Sequence, residues 1–157
     1  MFMKLSEIIN EDLIFPDLKS TSVSGILREI AEGICSSGKF TDAATLQERL
    51  LQRESQESTG VANGIAIPHC KVDNLNELIL AVAYAPEGVD FKAVDGNRTK
   101  FFFVVISPAS SSVLHLRALA ALARLIKSPS FVSQLQQRPG KSELLQLIRD
   151  EENSFVK

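Results

Sequence analysis

Apolar residues recur along this chain in two rhythms, one helical and one extended, and the two alternate. Ile26, Leu27, Ile30 and Ile34 return at helical spacing behind the hydroxyl-rich start Ser20-Thr21-Ser22. Arg28, Glu29 and Glu32 turn away from that stripe, and Gly38 marks the end. A second helix is predicted from about Thr41 to Glu54, with Ala43, Leu46, Leu50 and Leu51 as its stripe and Arg53 near its carboxyl end. Ile65-Ala66-Ile67 is β-branched enough for a short strand, and Pro68 is expected to stop it, because proline has no N–H for a ladder. Leu78 to Ala85 and Phe101 to Ile106 are apolar on both faces, as strands buried under helices are.

The remaining elements are shorter. Met3 to Asn10 reads as a first helix capped by Ser6, and Asp12 to Leu18 as an extended segment broken by Pro16. Asp73 to Asn76 is loop, Pro86-Glu87-Gly88 a turn, Val89 to Val94 a short edge strand and Asp95-Gly96-Asn97 a tight turn. Behind Ser107-Pro108 and the cap Ser110-Ser111-Ser112, a helix runs from about Ser112 to Lys127. It puts His115, Leu119, Leu122 and Ile126 on one face, with Arg117 and Arg124 opposite. Pro129 lies in a break before a short helix, Ser130 to Gln137, and Pro139-Gly140 precedes a last helix, Ser142 to Asp150. Glu151 to Lys157 reads as a frayed tail. Strands alternating with helices predict an α/β three-layer sandwich, a central mixed β-sheet flanked by helices on both faces, with residues 1–157 as a single domain.

Composition narrows the function classes. The 157 residues are 45% hydrophobic and 23% charged, which is ordinary globular usage. A net charge of −2 and the lack of a strongly basic stretch argue against nucleic acid as a partner. The apolar runs fall far short of the ~20 residues of a spanning helix, so membrane insertion is not expected. The start, Met1 to Glu7, lacks a basic region followed by an apolar core, and Cys35 and Cys70 have no paired spacing. Both features predict a cytoplasmic chain with reduced thiols.

Candidate chemistry gathers at the two histidines, His69 after Pro68 and His115 in the first turn of its helix. Both fall at element edges, where α/β sheets collect functional groups. Neutral imidazole can attack a phosphoryl group and later release it. Such a site needs an in-line approach and donors for the phosphoryl oxygens. Arg53 offers a guanidinium fork, and Ser58, Thr59 and the backbone around Gly60 and Gly64 offer neutral donors. Structural readings stand beside these. His115 on an apolar stripe is otherwise a core or capping histidine, Ser58 and Thr59 turn residues, and Arg53 a cation favoured by the helix dipole. A metal site built from His69, Cys70 and His115 lacks the repeated short ligand spacings of zinc sites. No nucleophile elbow is present for a hydrolase triad.

The stretch from Arg53 to Lys71, RESQESTGVANGIAIPHCK, carries a resemblance. Its core, from Glu57 to His69, resembles the active-site segment of enzyme IIA domains of the bacterial phosphoenolpyruvate-dependent phosphotransferase system, fructose/mannitol type. The nitrogen-regulatory branch looks nearest. Leu5 to Ile14 (LSEIINEDLI) and His115 to Ala120 (HLRALA) extend the likeness over nearly the whole chain. The resemblance implies that His69 is transiently phosphorylated on its Nε2 side by a histidine phosphocarrier protein, with no cofactor. It implies that Arg53 and His115 line the same site; Ser58, Thr59 and Gly60 stand as supporting phosphoryl-binding candidates on the residue reading, with turn roles open for them. Two roles stay open: a nitrogen or metabolic regulator that binds target proteins, and a sugar-uptake component passing phosphate to the cysteine of a IIB component. A non-relay binding domain of the same fold is the reading from another class. One departure is Cys70, where many relatives have Gly; alternation along a strand predicts that it faces away from the phosphoryl group.

Overall fold

A five-stranded mixed sheet organises the chain in the computed structural model, which describes residues 3–155. Its centre is an antiparallel pair, β4 (Ile79–Val89) and β5 (Thr99–Pro108), with Leu80 opposite Val105 and Val82 opposite Phe103 once β1 (Ile14–Phe15) has supplied the parallel outer strand on β4. On the other side of β5 lie two short parallel strands in succession, β2 (Ile65–Ala66) and β3 (His69–Val72).

Period-two alternation divides the core into two halves. Ala81, Ala83, Phe102, Val104 and Ile106 pack with Ile26, Leu27, Ile30, Leu46 and Leu50 of α1 (Val23–Ser36) and α2 (Ala43–Gln56). Leu80, Val82, Phe101, Phe103 and Val105 pack against α3 (Ser112–Ile126), α4 (Pro129–Leu135) and α5 (Lys141–Ser154). Each fully buried Val, Leu, Ile or Phe side chain among them contributes about 1.5–3 kcal/mol. The expected three-layer sandwich is present. Four helices start on a side-chain cap: Ser22, Asp42, Ser111 and Ser128 each accept from a backbone N–H three residues on, and Ser128 is a cap that the sequence reading did not expect.

Several local expectations are corrected. The helix expected from Met3 to Asn10 is a 3-10 turn at Leu5–Glu7, followed by another at Glu11–Leu13. Ser6 is no cap, because its N–H and hydroxyl donate to Glu152 Oε1 at 3.1 and 2.7 Å, while Leu5 N–H donates to Oε2 at 2.6 Å. A buried carboxylate on α5 thus holds the segment in place of helical bonds. The strand or extended segment expected from Asp12 to Leu18 starts only at Ile14 and breaks at Pro16 as expected, and Leu18 N–H then donates to Tyr84 O at 2.9 Å. Pro86 to Gly88 do not turn the chain. They form an irregular stretch within β4, where the register shifts between Tyr84 and Val89 and Gly88 takes φ 77°. The edge strand expected at Val89–Val94 is absent beyond Val89, whereas the turn at Asp95–Gly96 closes with Gly96 N–H on Ala93 O at 3.0 Å. Pro129 is the first residue of α4, where a missing N–H is harmless, rather than part of a break. The tail expected from Glu151 is helical through Ser154; positions 156 and 157 lie outside the described residues. On α3 the buried stripe is His115, Ala118, Leu122 and Leu125, with Leu119 and Ile126 half-buried at its margin.

Candidate functional site

Pro68 interrupts the sheet without ending it. Its carbonyl accepts from Val105 N–H at 3.0 Å, and Ile67 N–H turns outward to Thr59 O at 3.1 Å. Only one donor is missing, on an outer strand where proline is tolerated. The ladder resumes at once, with His69 opposite Val105 and Cys70 opposite Ile106. His69 therefore opens β3 instead of closing the strand before it. The turn that delivers this segment has Asn63 at φ 65° and Gly64 at φ 74°, a left-handed pair that glycine accommodates at its second position. The Gly64 carbonyl accepts from both Lys100 N–H (2.8 Å) and Phe101 N–H (2.9 Å), which pins the turn to β5.

The His69 ring is held on both nitrogens. Nδ1 lies 2.7 Å from Ile67 O. A carbonyl only accepts, so Nδ1 carries the proton and Nε2 keeps its lone pair. Arg53, on the last turn of α2, donates its Nε–H to that Nε2 at 3.2 Å and its Nη1–H to Glu57 O at 2.8 Å. α2 packs on the opposite sheet face from α3, and β3 is an outer strand, so Arg53 reaches His69 around the sheet edge. His115, on the first turn of α3, puts its ring centroid 5.4 Å from that of His69 at 54°. Burial lowers the pKa of His69, and the Arg53 charge lowers it further against the opposing pull of the Ile67 carbonyl. His115 is 8% exposed. Burial, then the charge at His69, Lys71 and Arg53, pushes its pKa down to about 4. Both rings are thus neutral at pH 7, one with a bare nucleophilic nitrogen.

An open cavity of about 320 Å³ lies over this pair, lined by Arg49, Gln52, Arg53, Gln56, His69, Cys70, Lys71 and His115. Its charged lining is cationic. Lys71 Nζ reaches Ser112 Oγ at 3.2 Å, which brings the amino terminus of α3 to the rim. Such a pocket suits an anion of phosphoryl size. Arg49, Gln52, Gln56 and Lys71 escaped the sequence reading. The signal was available in spacing: Arg49 and Arg53, and Gln52 and Gln56, are one helical turn apart, and Lys71 is two strand residues from His69.

The structure brings together His69, His115 and Arg53, but not Ser58, Thr59 and Gly60. Ser58 Oγ donates to Phe91 O and accepts from Gly60 N–H at 3.0 Å. Thr59 donates its N–H and hydroxyl to Glu54 at 2.6 and 2.7 Å. Gly60 lies so close to the next loop that a Cβ would sit 3.0 Å from Ala93 Cα. These three residues hold the loop that carries the motif. Cys70 points its side chain into the α1–α2 half of the core, as alternation predicts, and burial pushes its thiol up to about 12. Among the described residues, no group of three or more His, Cys, Asp or Glu is placed to hold a metal ion, and no helix is long and apolar enough to cross a membrane.

Comparison with known proteins bears on the family and the fold. The family model described as phosphoenolpyruvate-dependent sugar phosphotransferase system, EIIA 2, matches residues 7–151. The chain is 30% identical to the nitrogen regulatory protein of Pseudomonas aeruginosa over 151 residues, covering 96% of this chain and 98% of that protein. It is 28% identical over 146 residues to the fructose-specific EIIABC component of Bacillus subtilis, covering 93% of this chain but only 23% of that longer protein. Among solved structures, the nitrogen regulatory protein IIA-Ntr of Neisseria meningitidis superimposes with a TM-score of 0.84 at 25% identity, over 92% of this chain and 98% of that one.

Proposed function

Because the chain belongs to the EIIA 2 family of the phosphoenolpyruvate-dependent sugar phosphotransferase system, we propose that it is a phosphocarrier whose acceptor atom is His69 Nε2. The observation that carries this reading is the unprotonated Nε2, met by Arg53 Nε–H at a cationic cavity, with Nδ1–H tied to a backbone carbonyl. The Nε2 lone pair attacks the phosphorus of a phosphohistidine on a small histidine phosphocarrier protein. The donor's P–N bond breaks as the new one forms, and the donor imidazole leaves with its electron pair. Positive charge that builds on His69 is stabilised through Nδ1–H on Ile67 O. Arg53 Nε–H leaves Nε2 for a phosphoryl oxygen while Nη1 stays on Glu57 O, so the guanidinium pivots on a fixed anchor. Neutral His115 donates to a second oxygen, and Arg49 and Lys71 offset the incoming charge.

In this reading the whole chain acts as one domain in the cytoplasm and serves as a regulator whose target proteins distinguish its two states. The full-length match to a nitrogen regulatory protein supports that role. The match to a fructose-specific EIIABC component favours a second reading, transfer onward to the cysteine of a IIB component. The test is intact mass after incubation with phosphoenolpyruvate, enzyme I and the phosphocarrier protein. One acid-labile phosphoryl group is expected on the wild-type chain and none on His69→Ala. Histidine phosphorylation persisting in His69→Ala would refute the assignment. Onward transfer to a purified IIB component would select the uptake role.

A further inference from the structure

The two imidazoles that share the cavity are held at the same ring position by groups of opposite character. His69 Nδ1 faces a carbonyl, which can only accept. His115 Nδ1 lies 2.7 Å from Ser107 Oγ, which can either donate or accept. The direction of that second bond sets the chemistry of the ring, and the surroundings of Ser107 decide it.

Ser107 sits in β5, fully buried, opposite Lys71 in the ladder. Among the described residues, the side-chain hydroxyl has one hydrogen-bond partner, His115 Nδ1. If Nδ1 carried the proton and donated, the Ser107 O–H would have no protein acceptor among the described residues at a fully buried strand position, and an unpaired buried donor forfeits its hydration without return. If the hydroxyl donates, every hydrogen is used. His115 Nδ1 then holds the lone pair, and Nε2 carries the proton. Since Ser107 occupies the Nδ1 side, Nε2 is the nitrogen left for the cavity that His115 lines with His69, Arg53 and Lys71.

We propose that Ser107 is a positioning residue for phosphoryl transfer: its hydroxyl, donating to His115 Nδ1, holds His115 as the Nε2–H tautomer and aims that N–H at the phosphoryl group on His69. The two rings are thereby locked in opposite tautomers, a bare Nε2 on the acceptor and a protonated Nε2 on the donor beside it. With the opposite tautomer, His115 would point a lone pair at phosphoryl oxygens and repel them. The proposal rests on the reading of His69 as phosphoryl acceptor. It adds to that reading a residue outside the cavity lining, one residue before the end of β5, the strand preceding α3.

The test is a long-range proton–nitrogen correlation spectrum of the uniformly 15N-labelled, unphosphorylated full chain, with the rings assigned by His69→Gln and His115→Gln. The expected result is a protonated Nδ1 on His69 and a protonated Nε2 on His115. A second measurement follows transfer from phosphorylated phosphocarrier protein by rapid quench and intact mass. Ser107→Ala should slow transfer about tenfold, the size of effect that loss of a ligand-orienting partner produces. Ser107→Thr, which keeps the hydroxyl, should transfer at the wild-type rate. If the extra methyl prevents folding, the wild-type spectrum decides. A chain that accepts phosphate with Nδ1–H on His115, or at an unchanged rate in Ser107→Ala, overturns this proposal alone. A wild-type chain that takes no phosphate from an active donor overturns the phosphocarrier reading and this proposal with it.

Discussion

His115 makes the stability of this protein fall with acidity over a window that carboxylates alone do not explain. Its imidazole titrates near 6.5 when exposed and is pushed down to about 4 in the fold, first by burial and then by the charges at His69, Lys71 and Arg53. Between those values the unfolded chain binds a proton that the native chain refuses. Stability is therefore complete above pH 6.5 and is lost as pH falls from 6.5 towards 4. From pH 7 to pH 5 the native state loses about 1.5–2 kcal/mol through this one ring. For a chain of this size that is about 3–8 °C in Tm. The assay is urea unfolding at both pH values for the wild type and for His115→Gln, whose amide can still meet Ser107. Carboxylates titrate alike in both proteins, so the difference between their pH responses isolates His115 together with its coupling to His69. The wild type should lose about 1.5–2 kcal/mol more than the variant. Equal losses, or an imidazole signal of His115 titrating near 6.5 in the folded chain, would refute the reasoning.

Three further outcomes follow from the site. Arg53→Lys should slow phosphoryl transfer at least about tenfold, because an ammonium cannot hold Glu57 O and a phosphoryl oxygen on one planar fork; its unfolding free energy should stay within about 1 kcal/mol of wild type, and unaltered kinetics would remove Arg53 from the mechanism. Glu54→Ala strips both partners from Thr59, a buried N–H and hydroxyl, and should cost about 2–3 kcal/mol in urea unfolding, whereas a loss below about 0.5 kcal/mol would show the loop held by other contacts. Cys70, buried with its thiol pushed up to about 12, should resist an aromatic disulfide reagent at pH 8 in a Cys35→Ser background and react promptly in urea; equal rates in the two conditions would contradict its burial.

Legibility in the sequence tracked the range of the forces involved. The stripes of α1 and α2, the caps at Ser22 and Ser111 and the strand at Phe101 are local signals, and the structure has them. Prolines misled for a single reason. Pro68, Pro86 and Pro129 were read as stops, yet each stands where an absent N–H is harmless: an outer strand, an irregular stretch of β4 and the first residue of a helix. Ser58, Thr59 and Gly60 looked like phosphoryl donors because nothing local shows that their groups are committed to Phe91, Glu54 and the Ala93 loop. The buried grip of Glu152 on Leu5 and Ser6 spans almost the entire chain and has no local trace.

The division of labour on the last turn of α2 ties the fold to the chemistry. Arg53 and Glu54 are neighbours, and one helical step of 100° sends them to different tasks. Arg53 reaches around the sheet edge to His69, while Glu54 turns inward and fixes Thr59. The same turn therefore positions the cation and anchors the loop whose far end delivers His69. The charge pattern then gives the phosphorylated state its meaning. The whole chain carries a net charge of −2, yet the cavity around His69 is lined by Arg49, Arg53 and Lys71. A phosphoryl group brings about −1.5 to −2 charges to that spot, enough to cancel half or more of the local excess. On the phosphocarrier reading, a partner that tells the two states apart meets a strongly cationic rim in one and a rim with half or less of that charge in the other. Discrimination should therefore weaken as added salt shortens the screening length to below about 8 Å, while the bond-making step at half-buried His69 should be less affected. Measuring partner affinity and transfer rate across the same salt series separates the two. A salt-independent preference for one state would mean that partners read a change of shape instead.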